Sequence, residues 1–118
     1  MTAFAERSRS NLARVAALRA DGLWPPVVPS VVMVECLVGH AGHDASTNRF
    51  LKTCDIVDHL PTLIARRAAR LRALAKRGSA VDAVVVVTAE PSGIVSGSDL
   101  ADLRALAAHA EDVTVRRC

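Results

Sequence analysis

Three carboxylates stand where the chain could hold a divalent cation. They are Glu35 in PSVVMVECLV, Asp82 in SAVDAVVVVTAEPSG and Asp99 in SGSDLADLRALA. Carboxylate oxygens are hard donors that suit Mg²⁺ or Mn²⁺. A cation held by several acids offsets their mutual repulsion, polarises a phosphate oxygen and activates water. Two of the three acids also have a purely structural explanation. Asp82 follows Ser79 by three positions, a variant of the capping box with Asp in place of Glu, and favours the dipole of the helix it opens. Asp99 can cap a helix starting near Leu100, with Asp102 strengthening the same helix start and Ser98 beside it. Glu35 is harder to explain. It lies a turn inside its segment with apolar neighbours on both sides, so capping does not account for it. A Glu is almost never fully buried without a partner. An ion pair, a turn toward solvent or a shared cation would each resolve this.

Other constellations carry less. HAGHD sets His40 and His43 in an H-x-x-H pattern near Asp44 and Cys36, but a zinc site needs a fourth well-placed ligand. These are expected to be loop histidines, and the isolated His59 and His109 surface residues. No Ser-His-Asp or Cys-His pair is identifiable. The glycines of PSGIVSGS precede and end a strand, the wrong context for a phosphate-binding loop. The run ARRAARLRALAKR is basic, and reads either as a solvated helix face or as a surface for RNA phosphates.

The elements that position the acids follow from periodicity and stop signals. SNLARVAALRAD is expected to be a helix ended by Gly22, and Val27–Val28 a short buried strand. Ser30 is expected to cap a helix over VVMVECLV that Gly39 closes. GHAGHDAS reads as a loop, STNRFLKTC as a short helix and CDIVDHL as a strand. LPTLIARRAARLRALAKRG is the clearest helix, with Leu63, Ile64, Arg67, Leu71 and Leu74 on one face and Gly78 as its stop. A valine-rich buried helix opening at Ser79, a strand GIVSG, a helix SDLADLRALAAHA and a strand DVTVRR complete the chain. Alternating strands and helices predict an α/β sandwich around a mostly parallel sheet, whose ligands sit beyond the C-terminal strand ends. All three acids are expected at such places.

Bulk composition agrees. The 118 residues suit one domain with an aliphatic core: 51% are hydrophobic, 23% charged, and Tyr is absent. A net charge of +3 mildly favours an anionic partner. Three cysteines, Cys36, Cys54 and Cys118, have no framework spacing and read as reduced thiols in a cytoplasmic protein. The N-terminus has no apolar signal region, and no run is long enough for a membrane helix.

VVPSVVMVECL, SAVDAVVVVTAEPSG and SGSDLADLRALA occur in the order and at roughly the spacing found in PIN-domain proteins. From about Asn11 to Arg116 the chain resembles their VapC-type toxin ribonucleases. The resemblance implies a PIN-like three-layer α/β sandwich, Mg²⁺-dependent RNA cleavage with Mn²⁺ as a substitute, a small antitoxin partner and a homodimer. It maps the family's acids onto Glu35, Asp82 and Asp99. The family also opens with a central strand ending in a further Asp, and MTAFAERSRS contains no Asp. The sequence therefore predicts a PIN-like domain over 1–118 without that strand, through either a start assigned downstream or loss in a degenerate relative. Two functions follow: a ribonuclease, or an inactive module that binds an antitoxin or RNA. Without the central strand its neighbours would have unpaired backbone groups, unless another segment fills the gap.

Overall fold

The computed structural model describes residues 16–19, 22–97 and 100–117. In chain order the elements are β1 (Ala16–Arg19), β2 (Gly22–Pro29), α1 (Val31–Cys36), α2 (Ala41–Leu51), β3 (Asp55–Val57), α3 (Thr62–Ala75), α4 (Ala80–Ala89), β4 (Gly93–Gly97), α5 (Leu100–Ala107) and β5 (Thr114–Arg117). The strands form one five-stranded sheet in the order β3-β2-β1-β4-β5. β2 pairs parallel with β3 and β4 with β5, while β1 is antiparallel to both of its neighbours. Four strands thus run one way around a central strand that runs the other.

The central strand corrects the expected helix over SNLARVAALRAD. Ala16–Arg19 is extended, and residues 11–15 lie outside the described part. Ala17 pairs with Val27 on one side and Val95 on the other. Helix propensity is a weak preference of tenths of a kcal/mol per residue. Two buried strands with open hydrogen-bonding sides outweigh it. Only positions 20 and 21 separate Arg19 from its partner Gly22, a spacing that suits a tight hairpin. The gap expected between β2 and β4 is therefore filled from within the chain, in the opposite direction.

Register breaks between β1 and β2. One residue, Leu18, separates the β1 partners Ala17 and Arg19, whereas four separate Val27 from Gly22. That interval contains Pro25 and Pro26, which have no N–H to donate to a ladder.

The valine helix α4 is buried along almost its whole length, from Asp82 to Val87 and again at Ala89. A helix that is apolar all round belongs inside a domain. α4 packs over β1, β2 and β4, with α3 and α5 beside it. Its start is as expected: the Ser79 hydroxyl accepts the N–H of Asp82 at 3.0 Å. By contrast, Ser30 precedes α1 in helical conformation and makes no side-chain cap.

On α3 the inward stripe differs from the expected one. Ala68 and Leu71 are buried and Ile64 and Ala75 half-buried, whereas Leu63 is 80% exposed and Leu74 also faces solvent. The small Ala68 lets α3 approach α4 and turns the stripe to positions 64, 68, 71 and 75.

Arg67 serves this interface as an ion-pair partner. Its Nε and Nη2 reach the two carboxylate oxygens of Glu90 at 3.1 and 2.7 Å. Glu90 Oε2 also accepts the N–H of Glu111 at 2.6 Å, and Arg67 donates to the His109 carbonyl at 3.2 Å. One clasp thus joins α3, the end of α4 and the turn before β5. The Arg67 guanidinium holds the Glu90 carboxyl below its usual range, against the opposing effect of burial. A depressed carboxylate contributes stability above its unfolded pKa, about 4.3, and loses it as pH falls through the folded value. Glu90→Gln is therefore expected to melt about 5 °C lower at neutral pH, from a loss of about 1 kcal/mol. Thermal melts from pH 7 to pH 3 should show the difference between wild type and variant shrinking once pH drops below about 4. A pH-independent difference would contradict the ion-pair account.

Candidate functional site

β2 and β4 flank the central strand and run parallel, so their C-terminal ends reach the same edge of the sheet. From β2 the chain extends the sheet outward to β3; from β4 it extends the other way to β5. Such a reversal point is where open α/β sheets form a crevice for ligands. Two strand spacings, about 10 Å, separate the ends of β2 and β4.

Glu35 lies on α1, which directly follows β2. This short helix turns Val32 and Cys36 inward, leaving Val34 and Glu35 exposed. The acid amid apolar residues is a solvent-facing one, so it bears no burial cost. Asp82 is the opposite case. It is only 6% exposed, in the first turn of a helix that covers β1, β2 and β4. Residue 99 falls between Gly97, the last of β4, and Leu100, the first of α5. Asp99 and Ser98 both lie outside the described residues. Among the described residues no three His, Cys, Asp or Glu side chains stand together to hold a metal. Asp102 faces elsewhere: it accepts Arg77 Nε at 2.6 Å, tying the α3–α4 turn to α5.

The HAGHD segment corrects the loop expectation. Ala41–Leu51 is helical throughout, and Asp44 organises its entry. The buried Asp44 carboxylate accepts the backbone N–H groups of Val38, Gly39 and His40 at 3.0, 2.9 and 3.2 Å. These hydrogen bonds, led by that of Val38, hold its pKa below the ordinary value despite burial. His40 Nδ1 accepts the N–H of His43 at 3.4 Å as the helix cap. The histidines and Asp44 therefore build a helix start.

Sequence reasoning missed a cleft of about 270 Å³ between the ends of β2 and β3 and helices α3 and α4. Val31, Val57, Leu60, Ile64 and Val87 give it an apolar lining, and Glu90 stands on its wall. Leu60 and Leu63 are exposed near its α3 side, and Val34 lies on α1 one turn beyond Val31. A run of separate Val and Leu positions gives no sequence signal that they converge.

No protein-family model, curated protein or solved structure matches this chain. Among the described residues no helix is long and apolar enough to cross a membrane.

Proposed function

We propose that the chain is a metal-dependent endoribonuclease of the VapC type with a PIN-like sandwich fold. The sequence blocks bearing Glu35 and Asp99 follow two parallel strands that end at one sheet edge, on either side of the reversal point. That observation carries the reading, because a phosphodiester reaching this edge would lie between the two chain segments that bear the acids.

The donor chemistry fits Mg²⁺ or Mn²⁺, since all three candidates offer hard oxygens. Glu35, Asp82 and Asp99 would hold the cation, which when bound neutralises phosphate charge and lowers the pKa of water. The chain's own contribution is to position. Burial of Asp82 beneath its helix start fixes one carboxylate, and the exposed Glu35 leaves room for a polymer to approach. The resemblance supplies the partners: a second copy of the chain and a small antitoxin whose apolar segment would lie along the cleft.

A gel assay on structured RNA tests the reading. Cleavage is expected with Mg²⁺ or Mn²⁺ and none with a chelator, and Glu35→Gln and Asp99→Asn are each expected to slow it at least tenfold. Cleavage that persists in chelator, or that ignores both substitutions, would overturn the reading. The alternative is an inactive module that binds an antitoxin or RNA; the apolar cleft favours it. Complex formation with an antitoxin but no cleavage under any metal would establish that alternative.

A further inference from the structure

The positive charge of this protein is concentrated on α3 and the two residues that follow it. Six of the fifteen Lys and Arg residues, and none of the twelve acids, lie between Thr62 and Arg77. The rest of the chain holds nine cations and twelve acids, a net charge of −3.

Two of the six are neutralised, Arg67 by Glu90 and Arg77 by Asp102. Arg66, Arg70, Arg72 and Lys76 are exposed, and none pairs with a carboxylate among the described residues. Arg72 Nε donates to the Gly78 carbonyl at 3.2 Å, which fixes its guanidinium while leaving the charge uncompensated.

Helix stability does not explain this set. Cations at the C-terminal end favour the helix dipole, which suits Arg72 and Lys76. Arg66 stands outside the last turn of α3, so the dipole gives it no benefit. Arg66 with Arg70 and Arg72 with Lys76 are like-charge pairs four residues apart, each unfavourable by some tenths of a kcal/mol.

The surface beside Arg72 and Lys76 is open, while the exposed Leu63 and Leu74 lie three and four residues from Arg66 and Arg70. Ala69 and Ala73 floor an open basin rimmed by Arg72, Lys76 and Arg77. Its lining has no aromatic or large aliphatic residue, the anchors that protein–protein hot spots use. Bare cations over an alanine floor suit a ligand whose charge lies on its outside. From Arg66 to Lys76 the helix rises about 15 Å. A nucleic-acid strand carries about four phosphates over that length, at about 3.4 Å of axis each.

We infer that the exposed face of α3 is a track for a phosphodiester backbone, held by Arg66, Arg70, Arg72 and Lys76 without base readout and without metal. The choice of RNA as the polymer rests on the ribonuclease reading; the track itself does not require cleavage.

Fluorescence anisotropy of a labelled single-stranded RNA with the full chain in EDTA tests this, with DNA of the same sequence as a second arm. Each single-strand phosphate contact contributes about −0.7 to the slope of log affinity against log salt, so four contacts give about −2.8. Arg66→Gln/Arg70→Gln is expected to bring the slope to about −1.4 and weaken binding at least tenfold, with a melting temperature no lower than that of wild type. Arg49→Gln, an exposed cation on α2, is expected to leave both nearly unchanged. RNA preferred over DNA identifies the polymer, and equal binding supports the shared backbone chemistry. Absence of RNA binding, the same slope in the double variant, an equal effect of Arg49→Gln, or tighter binding of polyglutamate than of RNA would each overturn the inference. Cleavage is measured separately with Mg²⁺. Binding along α3 without cleavage would refute the nuclease reading alone, whereas cleavage indifferent to Arg66 and Arg70 would refute the track alone.

Discussion

Asp82→Asn is expected to lower Mg²⁺-dependent RNA cleavage by a factor of about 10² or more while leaving the fold intact. Asn has nearly the same size and shape, and the Ser79 cap involves the backbone N–H of residue 82, which the substitution keeps. A carboxylate that served only the helix dipole would be worth about 0.3–1 kcal/mol, and its loss would lower the melting temperature slightly with no effect on rate. One that holds a cation at the reacting phosphate contributes about 2.7 kcal/mol or more to the barrier, a hundredfold in rate. The two roles separate in one experiment: single-turnover cleavage beside thermal melts with and without Mg²⁺. The site reading expects Mg²⁺ to raise the melting temperature of wild type and not of Asp82→Asn. Full activity in the variant would assign Asp82 to capping and remove it from the site.

The second large effect concerns the turn between α3 and α4. Gly78 has φ +96°, and a Cβ there would stand 2.7 Å from Leu106 Cδ1 and 3.1 Å from its Cγ. Leu106 is fully buried, so it cannot swing away into solvent. Gly78→Ala combines left-handed backbone strain with overpacking and is expected to cost about 2–4 kcal/mol. Leu106→Ala is expected to cost about 2–5 kcal/mol, through lost burial and a cavity. A methyl introduced at position 78 points into that cavity, so the double variant should lose less than the sum, by about 1 kcal/mol. Urea denaturation of the four proteins measures the cycle. Strict additivity would mean that the two positions do not share the space between them.

The sequence disclosed most where a local signal agreed with tertiary demand. Ser79 and Pro91 bounded the valine helix and GIVSG emerged as a strand, whereas α1 stops at Cys36, two residues short of the expected Val38, and Ser30 does not cap it. Leu100, Leu103 and Leu106 lie three apart, and all three are buried in α5. Other features were illegible for identifiable reasons. AALR has good helix formers, and only the two strands it joins make it extended. HAGHD looks like a loop because its helix is started by a carboxylate inside the element that reaches back to Val38, Gly39 and His40. The bare sequence left the exposure of Glu35 open, because which residues of a six-residue helix turn inward, here Val32 and Cys36, is set by packing. The Arg67–Glu90 clasp spans twenty-three positions, beyond any periodicity. The place of Glu35 just after β2 was readable, whereas its exposure was not, and Asp82 follows a helix.

The four-residue central strand also determines how the sheet can come apart. β2–β3 and β4–β5 are each joined edge to edge as parallel pairs, but within the sheet the two pairs meet only through Ala16–Arg19. If that strand detaches, the sheet divides into two halves held together by α4 and its neighbouring helices, with fresh backbone edges on Val27 and Val95. Amide exchange along the facing sides of β2 and β4 would then follow a single opening event and share one protection level. The outer ladders to β3 and β5 could stay closed. The weak seam lies in the middle of the sheet, and it opens at the edge where β2 and β4 end and where the proposed site would need both strands held in place.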